Sequence, residues 1–287
     1  MSVTVHHLNC GTMRPPSARL VNGAGSIFGP ARMVCHCLLI EAPDGLVLVD
    51  TGLGCADIAD PHARLGGFFL SVVRPVLDSE ETALAHVERL GFGARDVRHI
   101  VLTHLDLDHA GGLADFPDAE VHVFAAEHAA ANAPRTLNER QRYRPAQWSH
   151  GARFTLHRTS GERWQGFESV RAVVEPSVLI VPVEGHTRGH AAVALETPDG
   201  WLLHCGDAYF HHGEMRTPPR CPAGLRLFQG ALALDDGARV RNQARLRALA
   251  CGPAGSAPGA DGVALFNAHD PFELARHARP AAPGAAR

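Results

Sequence analysis

Short apolar runs alternate with breaks rich in Gly, Pro and Asp along most of this chain. SVTVHHL near the start, MVCHCLLIEA (33–42), GLVLVDT (45–51), VRHIVLT (97–103) and AEVHVFA (119–125) have strand length and strand boundaries. So do SVLIVPVE (177–184), HAAVALET (190–197), GWLLHCG (200–206) and GVALFNA (262–268). The pairs Asp44-Gly45 and Asp199-Gly200 sit between apolar runs and predict tight hairpins. Helices are predicted at 79–92, which opens on Ser79 with acidic residues and closes near Gly91, at 235–252, and at 271–278, where Pro271 suits a first turn. Strands dominate, helices are interspersed, and hairpins occur in both halves. The fold class is therefore α/β, of the layered α+β kind, with two sheets covered by helices. No repeat and no long linker divides the chain, so a single domain over 1–277 is expected. The Ala/Pro/Gly-rich tail 278–287 is expected to be disordered.

A chain of 287 residues, 45% hydrophobic, can bury a sizeable core. Its formal charge of −3 provides no field for nucleic acid or an anionic membrane, so neither is an expected partner. No basic segment followed by an apolar run opens the chain, and no stretch has the length of a membrane span. Seven cysteines, an odd count, suit reduced thiols and a cytoplasmic location better than a disulfide framework. Cys35-His36-Cys37 lies in a strand pattern with no second cysteine pair, which favours core residues over a structural zinc clip.

Chemistry concentrates where strands end. His104 follows VRHIVLT, Asp207 follows GWLLHCG, His269 follows GVALFNA, and His190 closes the turn EGHTRGH. Four separate elements thus deliver a His or Asp to a strand end, a recurring way to hold ligands precisely placed on a rigid scaffold. Imidazole and carboxylate suit divalent zinc, manganese or iron. A pair of such ions can share a hydroxide that attacks an ester, lactone or amide carbonyl, with Asp207 as a bridging carboxylate.

VLVDTG (47–52), THLDLDHAGG (103–112), EGHTRGHAAV (184–193), HCGDA (204–208) and NAHD (267–270), in this order, resemble the metallo-β-lactamase fold superfamily, and most closely its lactonase and glyoxalase II-like hydrolases. The resemblance runs from about residue 33 to 270 and implies an αββα sandwich with two metals at one edge. It implies that His104, Asp106 and His190 hold the first metal, that Asp108, His109 and His269 hold the second, and that Asp207 bridges them. Asp50 resembles the family's ligand-orienting acid. His186 is read as a hydrogen-bonding turn residue. Asp108 is expected to relay a proton to the leaving group, and Tyr209 to hydrogen-bond the substrate carbonyl, although lactonases carry that tyrosine one position later, where this chain has Phe210.

Position 106 departs from the family pattern H-x-H-x-D-H. An aspartate there is shorter than histidine and adds a negative charge, which favours harder cations. The expected cofactors are two divalent ions, zinc foremost, with manganese or iron admitted by Asp106. The expected function is hydrolysis of a lactone or other ester in a small-molecule substrate. A diiron redox protein, a phosphodiesterase and a non-catalytic binding protein with a degraded site stand as rivals on the same residues. The oligomeric state is open, a homodimer included. Two segments are expected to wall a pocket. In 53–78, Phe68, Phe69 and Leu70 either cover the substrate or pack as a core helix. In 134–151, Arg140, Arg142, Arg144, Tyr143 and Trp148 either bind an anionic or aromatic group or form a solvated arginine-rich face.

Overall fold

The structure, a computed structural model, describes residues 3–173, 177–251 and 263–278. The strands are β1 (Thr4–Met13), β2 (Met33–Ala42), β3 (Gly45–Val49), β4 (Val97–Val101), β5 (Glu120–Phe124), β6 (Arg153–His157), the short pair β7 (Arg163–Trp164) and β8 (Phe167–Glu168), β9 (Val170–Val173), β10 (Val178–Pro182), β11 (Ala191–Thr197), β12 (Gly200–His204) and β13 (Val263–Phe266). The helices are α1 (Ala18–Val21), α2 (Cys55–Ala59), α3 (Pro61–Arg64), α4 (Gly66–Val72), α5 (Ala83–Arg89), α6 (Ala125–Asn132), α7 (Leu137–Arg142), α8 (Ala223–Leu232), α9 (Asp236–Cys251) and α10 (Pro271–His277). Of the tail 278–287 expected to be disordered, Ala278 is described and closes α10 by donating its N–H to Leu274 O at 2.8 Å, and residues 279–287 lie outside the described ones.

One sheet runs β1-β2-β3-β4-β5-β6 and the other β13-β12-β11-β10-β9. Both are mixed: β3 to β6 pair in parallel, as do β12 and β13, while hairpins supply the antiparallel pairs. Alternation along the strands explains the layers. Leu38, Ile40, Val47, Val49 and Val101 face Val178, Ile180, Val193 and Leu195 across the gap between the sheets. The opposite faces bury Leu46, Leu48, Ile100 and Val121 with Val87 of α5, and Leu203 with Leu246 of α9. This is the expected αββα sandwich.

Both predicted hairpins form, one residue out of phase. The registers close at Ala42↔Gly45 and Thr197↔Gly200, so Pro-Asp occupies each turn and the glycine opens the next strand. Gly45 has φ 130°, and a Cβ there would meet Arg98 and the Asp96 carbonyl. The predicted helix at 79–92 begins late. Residues Ser79–Glu81 form a 3₁₀ turn, and Thr82 caps α5 by accepting from the Ala85 N–H at 3.2 Å. Among the described residues no helix is long and apolar enough to cross a membrane.

Parallel strands deliver their C-terminal ends to one edge of the sandwich, where backbone bonds stitch the loops together. Asp50 N–H donates to Val101 O, Ala191 N–H to Thr103 O, Ala268 N–H to Gly206 O and Val34 N–H to His269 O. The candidate ligands occupy these stitched loops.

Candidate metal centre

His104, Asp106, His186 and Asp207 place ligand atoms within 4.8 Å of one another, and so do Asp108, His109 and His269. Asp207 lies between the groups. Its Oδ2 faces His104 Nε2 at 3.7 Å and His186 Nε2 at 3.3 Å, its Oδ1 faces His109 Nε2 at 3.4 Å, and His269 Nε2 lies against both oxygens, 3.0 Å from Oδ1 and 3.2 Å from Oδ2. Asp106 Oδ2 lies 3.0 Å from His186 Nε2 and 3.4 Å from His104 Nε2. Asp108 Oδ2 lies 3.6 Å from His269 Nε2.

Hydrogen-bond partners fix three of these imidazoles. His109 Nδ1–H donates to Asp50 Oδ2 at 2.8 Å, and His269 Nδ1–H donates to Val34 O at 2.8 Å. The Thr103 hydroxyl donates to Asp50 at 2.7 Å, so it accepts from His104 Nδ1–H at 2.9 Å. Each Nε2 is thereby turned inward, which is how outer partners orient metal-bound histidines. Buried His104 Nε2, His109 Nε2, Asp106 Oδ1 and Asp207 Oδ1 have no hydrogen-bond partner. Four buried imidazoles facing two buried carboxylates and half-buried Asp108 need cations or extra protons between them. Burial opposes charge on His109, yet the neighbouring carboxylates of Asp207, Asp50 and Asp108 hold its imidazole well above the usual value. Donors of this kind fit divalent transition metals.

The backbone beneath the centre is built for close approach. Asp50 adopts a left-handed φ of 55°, tolerated by Asp, and its Oδ1 accepts from Thr103 N–H at 2.8 Å. A Cβ on Gly206, φ 51°, would sit 2.7 Å from His190 Nε2 and 2.9 Å from Thr103 Cβ.

Two expected roles are corrected. His190 does not face the centre. Its Nε2 accepts from Asp207 N–H at 2.9 Å and its Nδ1 donates to Val183 O at 3.2 Å, so both nitrogens are spent on backbone. His186, read from the sequence as a turn residue, takes its place in the ligand group. His186→Ala is expected to cost the protein about one metal equivalent, whereas His190→Asn should keep the metal count and lower the melting temperature. Elemental analysis beside thermal unfolding separates these outcomes, and a metal loss confined to the His190 variant would reverse the assignment.

Tyr209 is fully buried in the second sheet's core and points away from the centre. Its hydroxyl donates to Glu273 at 3.1 Å, and Phe210 lines the cavity instead. It is therefore not the substrate-facing tyrosine expected from the sequence. Glu273 accepts from Asn267 N–H at 2.8 Å and Nδ2–H at 2.7 Å, and Asn267 Oδ1 accepts from His269 N–H at 2.8 Å, so this network holds the His269 turn. Burial pushes the Glu273 carboxyl up to about 8 against the donors of Asn267. A pKa raised in the folded state means that folding favours the proton, so stability falls as pH rises from the ordinary glutamate value of 4.5 toward about 8. Thermal unfolding across that window should show a decline that is shallower in Glu273→Gln; equal slopes would remove Glu273 as its source.

Two further residues support the centre, Glu127, for which the sequence offered no signal, and Arg142, read there only as a candidate for an anionic group or a solvated face. Glu127 of α6, in an Ala-rich run, is buried and accepts from Leu105 N–H at 3.0 Å, Thr187 Oγ1–H at 2.6 Å and Gly189 N–H at 3.1 Å. It ties the 104–106 loop to the 186–190 loop. Arg142, at the end of α7, is buried with Nε 3.6 Å from Asp106 Oδ1, and donates to His186 O and Leu232 O at 2.9 Å each. Burial alone would raise the Asp106 carboxyl, but Arg142 and then His104 outweigh it and hold it well below the usual carboxylate range. Arg144 also turns inward, to Leu65 O at 3.3 Å, while Arg140 is exposed. The 134–151 segment thus braces the ligand loops and also walls the cavity, as expected, through Asn138, Gln141, Arg142 and Arg144.

A cavity of about 770 Å³ ends on Asp106, Asp108, His186, Asp207 and His269. Its walls are mostly apolar, formed by Leu20 and Val21 of α1, Phe68 and Phe69 of α4, and Leu225 and Phe228 of α8, with Asn138, Gln141, Arg142 and Arg144 on one polar side. Phe69 and Leu70 also pack on the core, while Phe68 is half exposed, so α4 combines wall and core.

Comparisons with known proteins agree with this geometry. The model of the Metallo-beta-lactamase superfamily matches residues 31–261. A relative in Mycobacterium tuberculosis named a probable metallo-hydrolase is 47% identical over 246 residues, 85% of this chain and 74% of its own. An N-acyl homoserine lactonase of Bacillus cereus is 26% identical over 167 residues, 58% and 60% of the two chains. A solved N-acyl homoserine lactone hydrolase with N-hexanoyl-L-homoserine at its catalytic metal center superposes at TM-score 0.69 with 20% identity, covering 99% of both chains. A B. thuringiensis protein with N-decanoyl-L-homoserine bound superposes equally well, also at 0.69, 20% and 99% of both chains. With its sandwich, its strand-end ligands and a family match over most of its length, the chain belongs to the metallo-β-lactamase superfamily.

Proposed function

We propose that this metallo-hydrolase carries a dinuclear centre and opens lactones or other esters that bear an apolar chain. The observation that carries the reading is the apolar cavity ending on both ligand groups. Relatives named N-acyl homoserine lactonase support the same substrate class. His104, Asp106 and His186 would hold one divalent ion and Asp108, His109 and His269 the other, with Asp207 shared; zinc suits the imidazole-rich set. Such ions, when bound, acidify water and stabilise negative charge developing on a carbonyl oxygen.

The chain's own residues do the rest. Leu20, Phe68, Phe69, Leu225 and Phe228 remove the substrate's apolar chain from water and fix its direction toward the centre. Asp108, half-buried on the cavity floor, can accept a proton there and return it to the leaving alkoxide. Asp50 and Glu127 hold the ligand loops. No observation favours the redox or non-catalytic readings.

The test pairs elemental analysis, on protein purified without a metal-affinity tag, with hydrolysis of N-acyl homoserine lactones, simple lactones and aryl esters of increasing chain length. At least two divalent equivalents, with kcat/KM rising as the chain fills the cavity, are expected. Hydrolysis indifferent to chain length, or fewer than two equivalents in the active protein, would overturn the proposal.

A further inference from the structure

A second set of metal-type donors lies on the first sheet, away from the cavity. His99 is on β4, Glu120 and His122 are on β5, and Thr155 and His157 are on β6, with pairs His99↔Glu120, His122↔Thr155 and Phe124↔His157. His99, Glu120 and His122 each place a ligand atom within 4.8 Å of the others. His99 Nδ1 is 2.9 Å from His122 Nε2 and 3.9 Å from Glu120 Oε2. None of the three lines the cavity. His99 precedes His104 by five residues, on the order of 15 Å along an extended chain.

We infer that His99, Glu120 and His122 form a separate binding site for a divalent transition metal of the zinc class. Two imidazoles and a carboxylate are a donor set that zinc takes with a fourth position left to water. The outer partners are already in place. His122 Nδ1 lies 2.9 Å from His157 Nε2, so His122 can donate its far N–H there and keep Nε2 as a lone pair. The Thr155 hydroxyl donates to Glu120 Oε1, leaving Oε2 toward His99. Side-chain exposures of 30% for His99 and 42% for Glu120 leave an entry path and a place for water.

Without metal, one proton must lie between His99 Nδ1 and His122 Nε2. A metal replaces it once His99 moves that proton to its other nitrogen. Two nitrogens each about 2.0–2.1 Å from zinc in tetrahedral geometry stand about 3.4 Å apart, so the pair opens by roughly half an ångström. Residues on adjacent strands can absorb that through side-chain torsions. The site does not depend on the hydrolase reading, but it bears on its test, because a metal held here would add to the count attributed to the centre.

The experiment titrates the full-length, metal-loaded protein with zinc sulfate by calorimetry and counts bound zinc after desalting. Wild type is compared with His99→Gln, Glu120→Gln and Thr155→Val. Wild type should take up one equivalent that His99→Gln lacks, and Glu120→Gln should bind it at least about tenfold more weakly. Thr155→Val, which keeps all three ligands, should weaken it about 10- to 100-fold, the usual cost of losing an outer partner. Equal uptake and equal affinity in wild type and Glu120→Gln would overturn the inference. That partly exposed variant also serves if His99→Gln does not fold.

Discussion

Asp207→Ala is expected to strip metal from both candidate ligand groups at once. This carboxylate stands between the two groups, with His104 and His186 on its Oδ2 side, His109 on its Oδ1 side and His269 within 3.2 Å of both oxygens. Removing any terminal ligand should weaken one metal, whereas removing Asp207 takes a donor and a negative charge from each. Metal content at the centre, counted apart from any equivalent held by His99, Glu120 and His122, should fall toward zero and hydrolysis by about a thousandfold or more, equivalent to roughly 4 kcal/mol of lost transition-state stabilisation. Asp207→Asn discriminates further. It keeps one carbonyl oxygen but turns an N–H₂ toward the opposite pair, so about one equivalent should remain. Elemental analysis and kcat/KM on the same preparations test both variants. Two equivalents retained by Asp207→Ala would mean that the carboxylate does not bridge.

What the sequence made legible was local. His104, Asp106, Asp108 and His109 fall within six residues after an apolar run, and Asp207 and His269 each follow another. Their convergence could be read because strand ends are marked by composition. The choice between His186 and His190 could not be read that way. Both histidines bound one short turn, and the decision is made by a backbone N–H at Asp207 and a carbonyl at Val183, which occupy the two nitrogens of His190. Tyr209 and Phe210 pose the same problem one residue apart: Glu273 on α10 draws the tyrosine into the core. Glu127 and Arg142 act through contacts tens of residues distant; Glu127 sits in no pattern that sets it apart from an ordinary helix residue, and the arginine-rich run that marked Arg142 did not say that it faces Asp106. The layered fold was legible from period-two apolar runs, whereas the short strands β6 to β9 are partly exposed and carry a weaker alternation.

Arg142 also explains why an aspartate can stand at position 106, and it changes what should happen when the family's histidine is restored. From the sequence alone Asp106 adds a negative charge that should favour manganese or iron over zinc. Buried Arg142, 3.6 Å away, offsets that charge, so the Asp106–Arg142 pair is as neutral as a histidine and the bias toward harder cations largely disappears. Asp106→His should therefore fail on its own, because it strands a guanidinium, still tied to His186 O and Leu232 O, beside the centre. Breaking a buried pair by removing one partner costs about 3–5 kcal/mol, and repulsion between Arg142 and the bound cations adds to it. Arg142→Gln alone should leave the extra charge of Asp106 unbalanced and move metal preference from zinc toward manganese. Asp106→His with Arg142→Gln removes both charges together and should recover much of the stability and the zinc content that either single change loses. The double-mutant cycle, read by melting temperature and metal stoichiometry, measures the coupling directly. Additive losses would show that Arg142 is only a brace for the His186 loop, and that the aspartate at 106 is tolerated for some other reason.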